Sequence, residues 1–517
     1  MYHVVACVVV VLVVFAPLLL VMLSMKLTRS GRDGVRLPPG PWRLPVIGSL
    51  HHVMGERLLH RAMADLARRL DAPLMYLKLG EVHVVVASSP DAAREIMRTH
   101  DVAFAGRALT PTAQGLRPGG EGLALAPYGA LWRQLRKICV VELLSARRVR
   151  SFRRVREEEV GRLVDALAAA ASSGETVNFT ERIAAVVSDS SVRAMIGDRF
   201  ERRDEFLAGL AEQVKLLGGF SLDDLFPSSR LASAIGGTVR RAEASRKKLF
   251  ELMDCVIRQH QERRAEAAAD AGAGVEDDKH QDIIDVLLTI HKQGELETPL
   301  TMEQIKAVIL DLFSGGSETS ADTIQWAMSE LMRNPRVMKK IQAELRDKLK
   351  GKPIMTEDDL SNLNYLKLII KETLRLHPVA PLLIPRECRE ACKIMGYDIP
   401  KGTTVFVNVW AIGRDPNYWD DAEEFRPERF ENNTVDYKGM DFEFIPFGAG
   451  RRMCTGMAFA EATMDLMLGS LLYHFDWELP CGTRAVELDM TEEMGLTVKR
   501  KDDLYLHPIL RVPQAQN

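Results

Sequence analysis

Hydrophobic and polar positions divide the chain into stretches of distinct character. Val4 to Met25 is a run of 22 residues without a charge, rich in Val and Leu. As a helix it is long enough to span ~30 Å of hydrocarbon. Pro17 lies inside the run, where a membrane helix tolerates it better than a soluble one. Lys26, Arg29, Arg32 and Arg36 follow at once, whereas only His3 precedes. The positive-inside rule therefore leaves the long C-terminal part in the cytosol. A cleaved signal peptide needs a shorter apolar region, a basic start and a small-residue cleavage site, and none is clear here. Leu37-Pro-Pro-Gly-Pro41, followed by Pro45, then holds an extended, stiff segment. The expected organisation is an anchor helix over 1–25, a basic and proline-rich hinge over 26–48, and one cytosolic catalytic body over 49–517.

Within the body, Leu74–Leu79 and Val82–Ala87 are β-rich runs on either side of Gly80-Glu81, a pair that suits a tight hairpin. From about residue 130 onward helical patterns dominate. The longest predicted helix opens on the capping box Thr301-Met-Glu-Gln304 and runs to Arg333, stopping before Pro335. At ~1.5 Å per residue its about 33 residues extend roughly 50 Å. A second helix is expected over 364–377, ended by Pro378, and a third carries Met457 to Phe475. The polar stretch Gln261–Asp278 reads as an exposed loop or a frayed helix end. No repeat period is visible.

Composition narrows the function classes. The 517 residues are 46% apolar and 27% charged, with 68 Lys and Arg against 71 Asp and Glu, a net charge of -3. There is no basic excess to hold nucleic acid and no acidic excess of a disordered chain. Seven cysteines, at 7, 139, 255, 388, 392, 454 and 481, are odd in number, widely spaced and free of any C-x-x-C. A disulfide scaffold and a four-thiolate zinc site are both excluded.

One cysteine has a context the others lack. It sits in Phe447-Gly-Ala-Gly-Arg-Arg-Met-Cys-Thr-Gly456, where glycines allow a tight turn close to a flat object and a helix follows at once. A helix N-terminus lowers a thiol pKa and offers N–H donors to the sulfur. A lone thiolate so placed is a good ligand for haem iron. Gly315-Gly-Ser-Glu-Thr319 lies midway along the longest predicted helix. Two glycines cost a helix ~2 kcal/mol against alanine; their lack of side chains lets a flat cofactor approach, and Glu318 and Thr319 offer a carboxylate and a hydroxyl for proton relay. Glu372-Thr-Leu-Arg375 puts opposite charges three apart on one helical face. Trp132-Arg-Gln-Leu-Arg136 puts an indole N–H and a guanidinium, four apart, on one face of a helix.

These four signatures, in their order along the chain, resemble those of the cytochrome P-450 haem-thiolate monooxygenases, of the plant microsomal A-type, and the likeness covers nearly everything from Pro38 onward. It is similar to the pattern of grass terpenoid oxidases. The resemblance implies a mainly α fold with small β-sheets, the cytochrome P-450 haem-thiolate fold, with an N-terminal transmembrane helix. It implies haem b (iron protoporphyrin IX) with Cys454 as iron ligand, Phe447 in the cysteine loop, and Gly315 and Gly316 beside the ring. Thr319 is implied beside the oxygen to be activated and Glu318 in proton delivery. Trp132, Arg136, Arg452 and Arg386 are implied to hold the propionates, and Glu372, Arg375 and Arg429 to lock the cysteine loop against the core. Thr455 departs from the proline that most plant members carry after the cysteine.

No G-x-G-x-x-G is present: the cysteine loop has Gly448 and Gly450 but Met453 where the dinucleotide fingerprint needs its third glycine. Electrons therefore come from another protein, and the resemblance implies a membrane-bound NADPH-dependent flavoprotein, NADPH-cytochrome reductase, with O2 and NADPH as co-substrates. Arg133, Arg136, Lys137 and Arg147 to Arg156 are the expected docking face. Implied localisation is the endoplasmic reticulum membrane, single-pass, in contact with membrane lipid. Substrate contacts are implied from Phe104–Leu125, Phe206–Phe226, Val308–Ser317, Val379–Ile384 and the turn at Leu496-Thr497. Ala380, Leu382, Leu383, Ile384 and Leu496 are apolar, which fits an apolar plant metabolite, a terpenoid first and an aromatic or lipid-derived phenolic second. A reductase-independent haem-thiolate isomerase or dehydratase, and a silent haem-binding membrane protein, are the other classes to weigh. The Glu318-Thr319 pair argues against both, because a peroxide substrate needs no proton relay.

Overall fold

The computed structural model describes residues 34–514 apart from 56–57, 198–201, 219, 271–280, 295 and 481. The apolar run Val4–Met25 lies outside these residues. Among the described ones, no helix is long and apolar enough to cross a membrane.

Strands β1 (Leu74–Leu79) and β2 (Val82–Ala87) form the expected antiparallel hairpin, with Leu79 opposite Val82. The two-residue β3 (Arg386–Glu387) and β4 (Thr404–Val407) complete the sheet in the order β1-β2-β4-β3, β4 lying parallel to β2 and antiparallel to β3. The proline-rich segment does not hang free at its C-terminal end. The Tyr76 N–H donates to Pro39 O at 2.8 Å, so residues up to Gly48 lie along the sheet.

Helices make up most of the rest: α1 (Ala130–Ile138), α2 (Arg153–Ser173), α3 (Phe179–Ile196), α4 (Thr238–Asp270), α5 (Met302–Gly316), α6 (Glu318–Arg333), α7 (Asn364–Leu376) and α8 (Met457–His474). A hairpin of β5 (Glu492–Met494) and β6 (Val498–Arg500) follows. Helix α4 continues through Asp270, so the polar stretch from Gln261 is the end of a long helix as far as the structure describes it. Residues 271–280 lie outside the description.

The single helix expected from Thr301 to Arg333 is two. Its capping box forms, with Gln304 N–H on Thr301 Oγ1 at 3.2 Å and Thr301 N–H on Gln304 Oε1 at 3.0 Å. The helix then breaks at Ser317 (φ -88°, ψ -62°), between α5 and α6. Gly315 and Gly316 weaken the ladder there, and two hydroxyls compete for its carbonyls: Ser317 Oγ donates to Phe313 O, which also keeps the Ser317 N–H, and Thr319 Oγ1 donates to Gly315 O, both hydroxyl contacts at 2.6 Å. Side chains inserted into the ladder are a recognised cause of a kink.

The largest core forms where α6, α7 and α8 pack with α2 and α3, around fully buried Leu331, Ile369 and Leu471. A second core joins α5 to the start of α8 through Phe313 and Phe459. Each such side chain removed from water contributes about 1.5–3 kcal/mol. These two cores fix the break in α5/α6 opposite the loop that precedes α8.

Candidate active site at the Cys454 loop

The loop before α8 is closed by the Cys454 N–H donating to Phe447 O at 3.0 Å. It turns through Gly450 at φ +66°, where a Cβ would stand 2.2 Å from Met97 O, so no other residue fits this close approach. Cys454 is exposed although it lies deep in the molecule, because its sulfur faces an internal cleft. Burial raises the thiol pKa, opposed by the Gly456 and Met457 N–H groups and by the Arg136 charge. The helix start does supply donors to the sulfur, as the sequence predicts. The expected net lowering does not follow in the protein alone, because desolvation is the larger effect.

Next to this loop the fold gathers cations. Arg386, 3% exposed, donates to Ala449 O at 2.7 Å and to Asp101 Oδ1 at 3.2 Å. Arg452 donates to Ala105 O at 2.8 Å and to Ala126 O at 2.5 Å. Arg136 donates to Met453 O at 2.9 Å. The Trp132 ring has Arg136 at 5.5 Å and Arg452 at 4.4 Å from its centre, and its buried Nε1 has no hydrogen-bond partner among the described residues. A fourth arginine escaped the sequence reading. Arg107, 7% exposed, donates to Ala124 O, Ile384 O and Pro385 O. Burial, then Arg452 and Arg386, hold its pKa well below the ordinary guanidinium range. Arg452 is brought down to about 9 by burial and then by Arg386 and Arg136. Nothing local marks Arg107 in the sequence, since it is one arginine in an irregular segment.

Among the described residues Asp101 pairs with one of these four guanidiniums, Arg386 at 3.2 Å, and with the neighbouring Arg451 at 3.6 Å. Buried cations left unpaired are strongly unfavourable, and an orphaned indole N–H adds to the cost. A flat group carrying two carboxylates supplies the missing acceptors. The residues present therefore fit haem, with Cys454 as a thiolate donor and Arg107, Arg136, Arg386, Arg452 and Trp132 as donors to its propionates.

On the other side stands the break in α5/α6. A Cβ on Gly315 would meet nothing within 4 Å, and one on Gly316 would lie 3.8 Å from Met195 and 3.9 Å from Phe459. Phe459 belongs to the first turns of α8, so the glycine pair and the cysteine helix adjoin. Glu318 Oε1 accepts from Thr497 Oγ1 at 3.0 Å. The segments implied to touch substrate converge here. A Cβ on Gly122 would meet Asp311 Oδ2 at 2.4 Å, and one on Gly218 would meet Leu496 N at 2.3 Å. The Val498 N–H donates to Val379 O at 2.8 Å, and Arg107 ties Ile384 to the segment after Phe104. Leu382 is an exception: it packs away with Leu50, Leu79 and Leu225.

Glu372 and Arg375 are fully buried and paired side-on, at 2.8 Å for both contacts. Arg429 Nε adds a third contact to Glu372 at 2.9 Å. Arg375 also donates to Gly413 O, Ala422 O and Glu424 O. The three residues thus tie α7 to the long segment that leads into the cysteine loop. The basic face around α1 is partly an internal feature. Arg136 turns toward Met453, and buried Arg156 pairs with Glu357, so neither belongs to an outer face. Arg133, Lys137 and Arg150 do point to solvent.

Comparison with known proteins agrees with this fold. A zebrafish cytochrome P450, solved in a structure with abiraterone, superposes with a TM-score of 0.72 at 23% identity, covering 87% of this chain and 99% of that one. Desmethyl-deoxy-podophyllotoxin synthase of Sinopodophyllum hexandrum is 49% identical over 492 residues, 95% of each chain. Dolabradiene monooxygenase of Zea mays is 47% identical over 501 residues, 96% of this chain and 97% of its own. The family model described as Cytochrome P450 matches residues 38–506. The family is one of haem enzymes that use O2 and NADPH-derived electrons delivered through a reductase, and the chain belongs to it: it is a cytochrome P450 monooxygenase.

Proposed function

We propose that this enzyme hydroxylates or epoxidises an apolar terpenoid, receiving electrons from NADPH-cytochrome reductase. The observation that carries this reading is the pairing of the Cys454 loop with a glycine-broken helix bearing Glu318 and Thr319. When bound, haem supplies oxygen activation at a thiolate-ligated iron. The chain's own residues do the rest. Cys454 offers the thiolate, steadied by N–H groups of Gly456 and Met457. Arg107, Arg136, Arg386, Arg452 and Trp132 orient the ring by its carboxylates, and Gly315 and Gly316 let it approach the helix. Phe447 fixes the loop through its carbonyl. Glu318 moves a proton from Thr497's side of the cleft toward Thr319, whose hydroxyl is held on Gly315 O. Glu372, Arg375 and Arg429 retain the loop's shape and so the cofactor.

The terpenoid assignment draws on the apolar Ala380, Leu383, Ile384 and Leu496 and on the diene substrate in the name of the maize relative. The residues over 1–25 act as the membrane anchor, 26–48 as the hinge, and 49–517 as the domain facing the cytosol from the endoplasmic reticulum. Exposed apolar side chains support lipid contact: Val46 and Met54 stand near the corner where Leu225 meets Gly80, with Leu222, Leu231 and Ile235 on the segment that follows.

The test is product analysis with purified full-length protein, a plant reductase, NADPH and O2 against terpene and phenolic scaffolds. Oxygenated terpenes with matched NADPH consumption are expected; turnover confined to phenolics displaces the substrate assignment, and peroxide rearrangement without NADPH displaces the reaction. Cys454→Ala removes the thiolate band of the reduced carbon monoxide spectrum, whereas Cys388→Ala and Cys392→Ala leave it in place.

A further inference from the structure

Behind Glu318, one turn along α6, stands a second carboxyl that the chemistry above does not use. Asp322 is 7% exposed, and its Oδ2 has no hydrogen-bond partner among the described residues. Burial first, and then the charge of Glu318, push its pKa well above the ordinary carboxylate value; Lys499 and the Thr497 hydroxyl oppose this without reversing it. A buried carboxyl without a cation in contact is held as the neutral acid.

Thr497 connects the two acids. Its hydroxyl donates to Glu318 Oε1 at 3.0 Å and bears on the Asp322 carboxyl, which stands one turn from Glu318 on the same face of α6. A hydroxyl has one proton to give and two lone pairs, so with its proton on Glu318 it keeps lone pairs free to accept from an acid at Asp322. Thr497 is itself buried and precedes β6, which is fastened to α6 by Trp326 Nε1 donating to Val498 O at 3.2 Å. Two residues on, Lys499 is half exposed and pairs with Glu493 across the hairpin at 3.4 Å. The hairpin thus leads from the buried pair of acids to solvent.

We propose that Asp322 and Thr497 form a proton reserve and relay that recharges Glu318 through the β5–β6 hairpin. The inference rests on the assignment of Glu318 and Thr319 to proton delivery. Asp322 releases its O–H proton to Thr497 Oγ1 as the proton of Thr497 passes to Glu318 Oε1. One O–H bond breaks and one forms at Thr497, one breaks at Asp322, and one forms at Glu318. No electrons are transferred. The Asp322 carboxylate left behind, with Lys499 as its neighbouring cation, takes a proton from water at the hairpin. Asp322 acts only through Glu318 and is a positioning residue, not a catalytic one.

The test compares full-length wild-type holoenzyme with Asp322→Asn, Thr497→Val, Asp322→Glu and Glu318→Gln. Asparagine keeps the size but has no acid proton. In Asp322→Asn and Thr497→Val, the share of NADPH electrons reaching product falls about three- to tenfold, less than the loss of a direct general acid. Hydrogen peroxide release and the solvent deuterium isotope effect rise. In Asp322→Asn, turnover driven by added hydrogen peroxide, which brings its own protons, stays near wild type, and Asp322→Glu restores coupling. Independently of turnover, the resting protein has an infrared carbonyl band of a buried protonated carboxyl that shifts in D2O and is missing from Asp322→Asn. Parallel loss of NADPH- and peroxide-driven turnover, unchanged coupling, or persistence of that band in Asp322→Asn overturns the relay. A fully coupled Glu318→Gln overturns the Glu318 assignment and the relay with it, whereas an uncoupled Glu318→Gln beside a fully coupled Asp322→Asn overturns the relay alone.

Discussion

At the residue scale the cofactor site is a problem of charge. Four arginines converge on a region that offers them mainly backbone carbonyls and Asp101, and the Trp132 indole N–H has no acceptor among the described residues. Each group was placed by tertiary contacts, and each is better satisfied by an anion than by the protein alone. Trp132→Phe isolates one of them, because it deletes the N–H and keeps the ring. A hydrogen bond to a charged group contributes about 1.5–3 kcal/mol, so haem transfer from the variant to an excess of apomyoglobin is expected to speed up about 10- to 100-fold. Removing an unpaired donor costs the protein nothing by itself, so the cofactor-free form of Trp132→Phe unfolds at the same or a higher urea concentration. Motif spacing made Cys454, Trp132, Arg136 and Arg452 legible. Arg107 and Asp322 were not, since a lone arginine in a loop and a lone aspartate in a helix carry no signal until their neighbours are known.

At the scale of elements, periodicity gives the existence of the helices and hairpins reliably, but not their continuity. The run from Thr301 to Arg333 keeps its apolar pattern throughout, so the pattern predicts one helix. The break at Ser317 arises from glycine entropy and from two hydroxyls competing for helix carbonyls, effects that period alone does not report. Gly315 is open to a methyl group, so Gly315→Ala is expected to stabilise the protein by about 1 kcal/mol, read as a higher urea midpoint. The same change straightens the segment that holds Thr319 Oγ1 on Gly315 O, and the share of electrons reaching product falls. A variant both less stable and fully coupled would contradict this account of the break.

At the scale of the whole molecule, the Glu372–Arg375–Arg429 group joins α7 to the segment before the cysteine loop, and the outward part of the basic face lies on the same side as that loop. Long-range attraction between a basic face and an acidic partner changes association rates by about 10- to 1,000-fold. Reversing Arg133, Lys137 and Arg150 together is therefore expected to slow reductase-supported turnover at least about tenfold at low salt, with a normal carbon monoxide spectrum and unchanged peroxide-driven turnover. Removing one partner of a buried ion pair costs about 3–5 kcal/mol, so Glu372→Ala is expected to lose haem on purification where the surface triple variant does not. By itself the sequence determined the hairpin, the capping box, the class of fold and the glycine-rich turn before Cys454, because each is written in local spacing or in residue types with one chemical use. Only the tertiary structure decided that the long helix breaks, that Arg136 and Arg156 turn inward, that Arg107 joins the cation group and that Asp322 stands behind Glu318. Those outcomes depend on which segments distant in sequence share a desolvated space, and burial and charge there act on neighbours the chain does not reveal until it is folded.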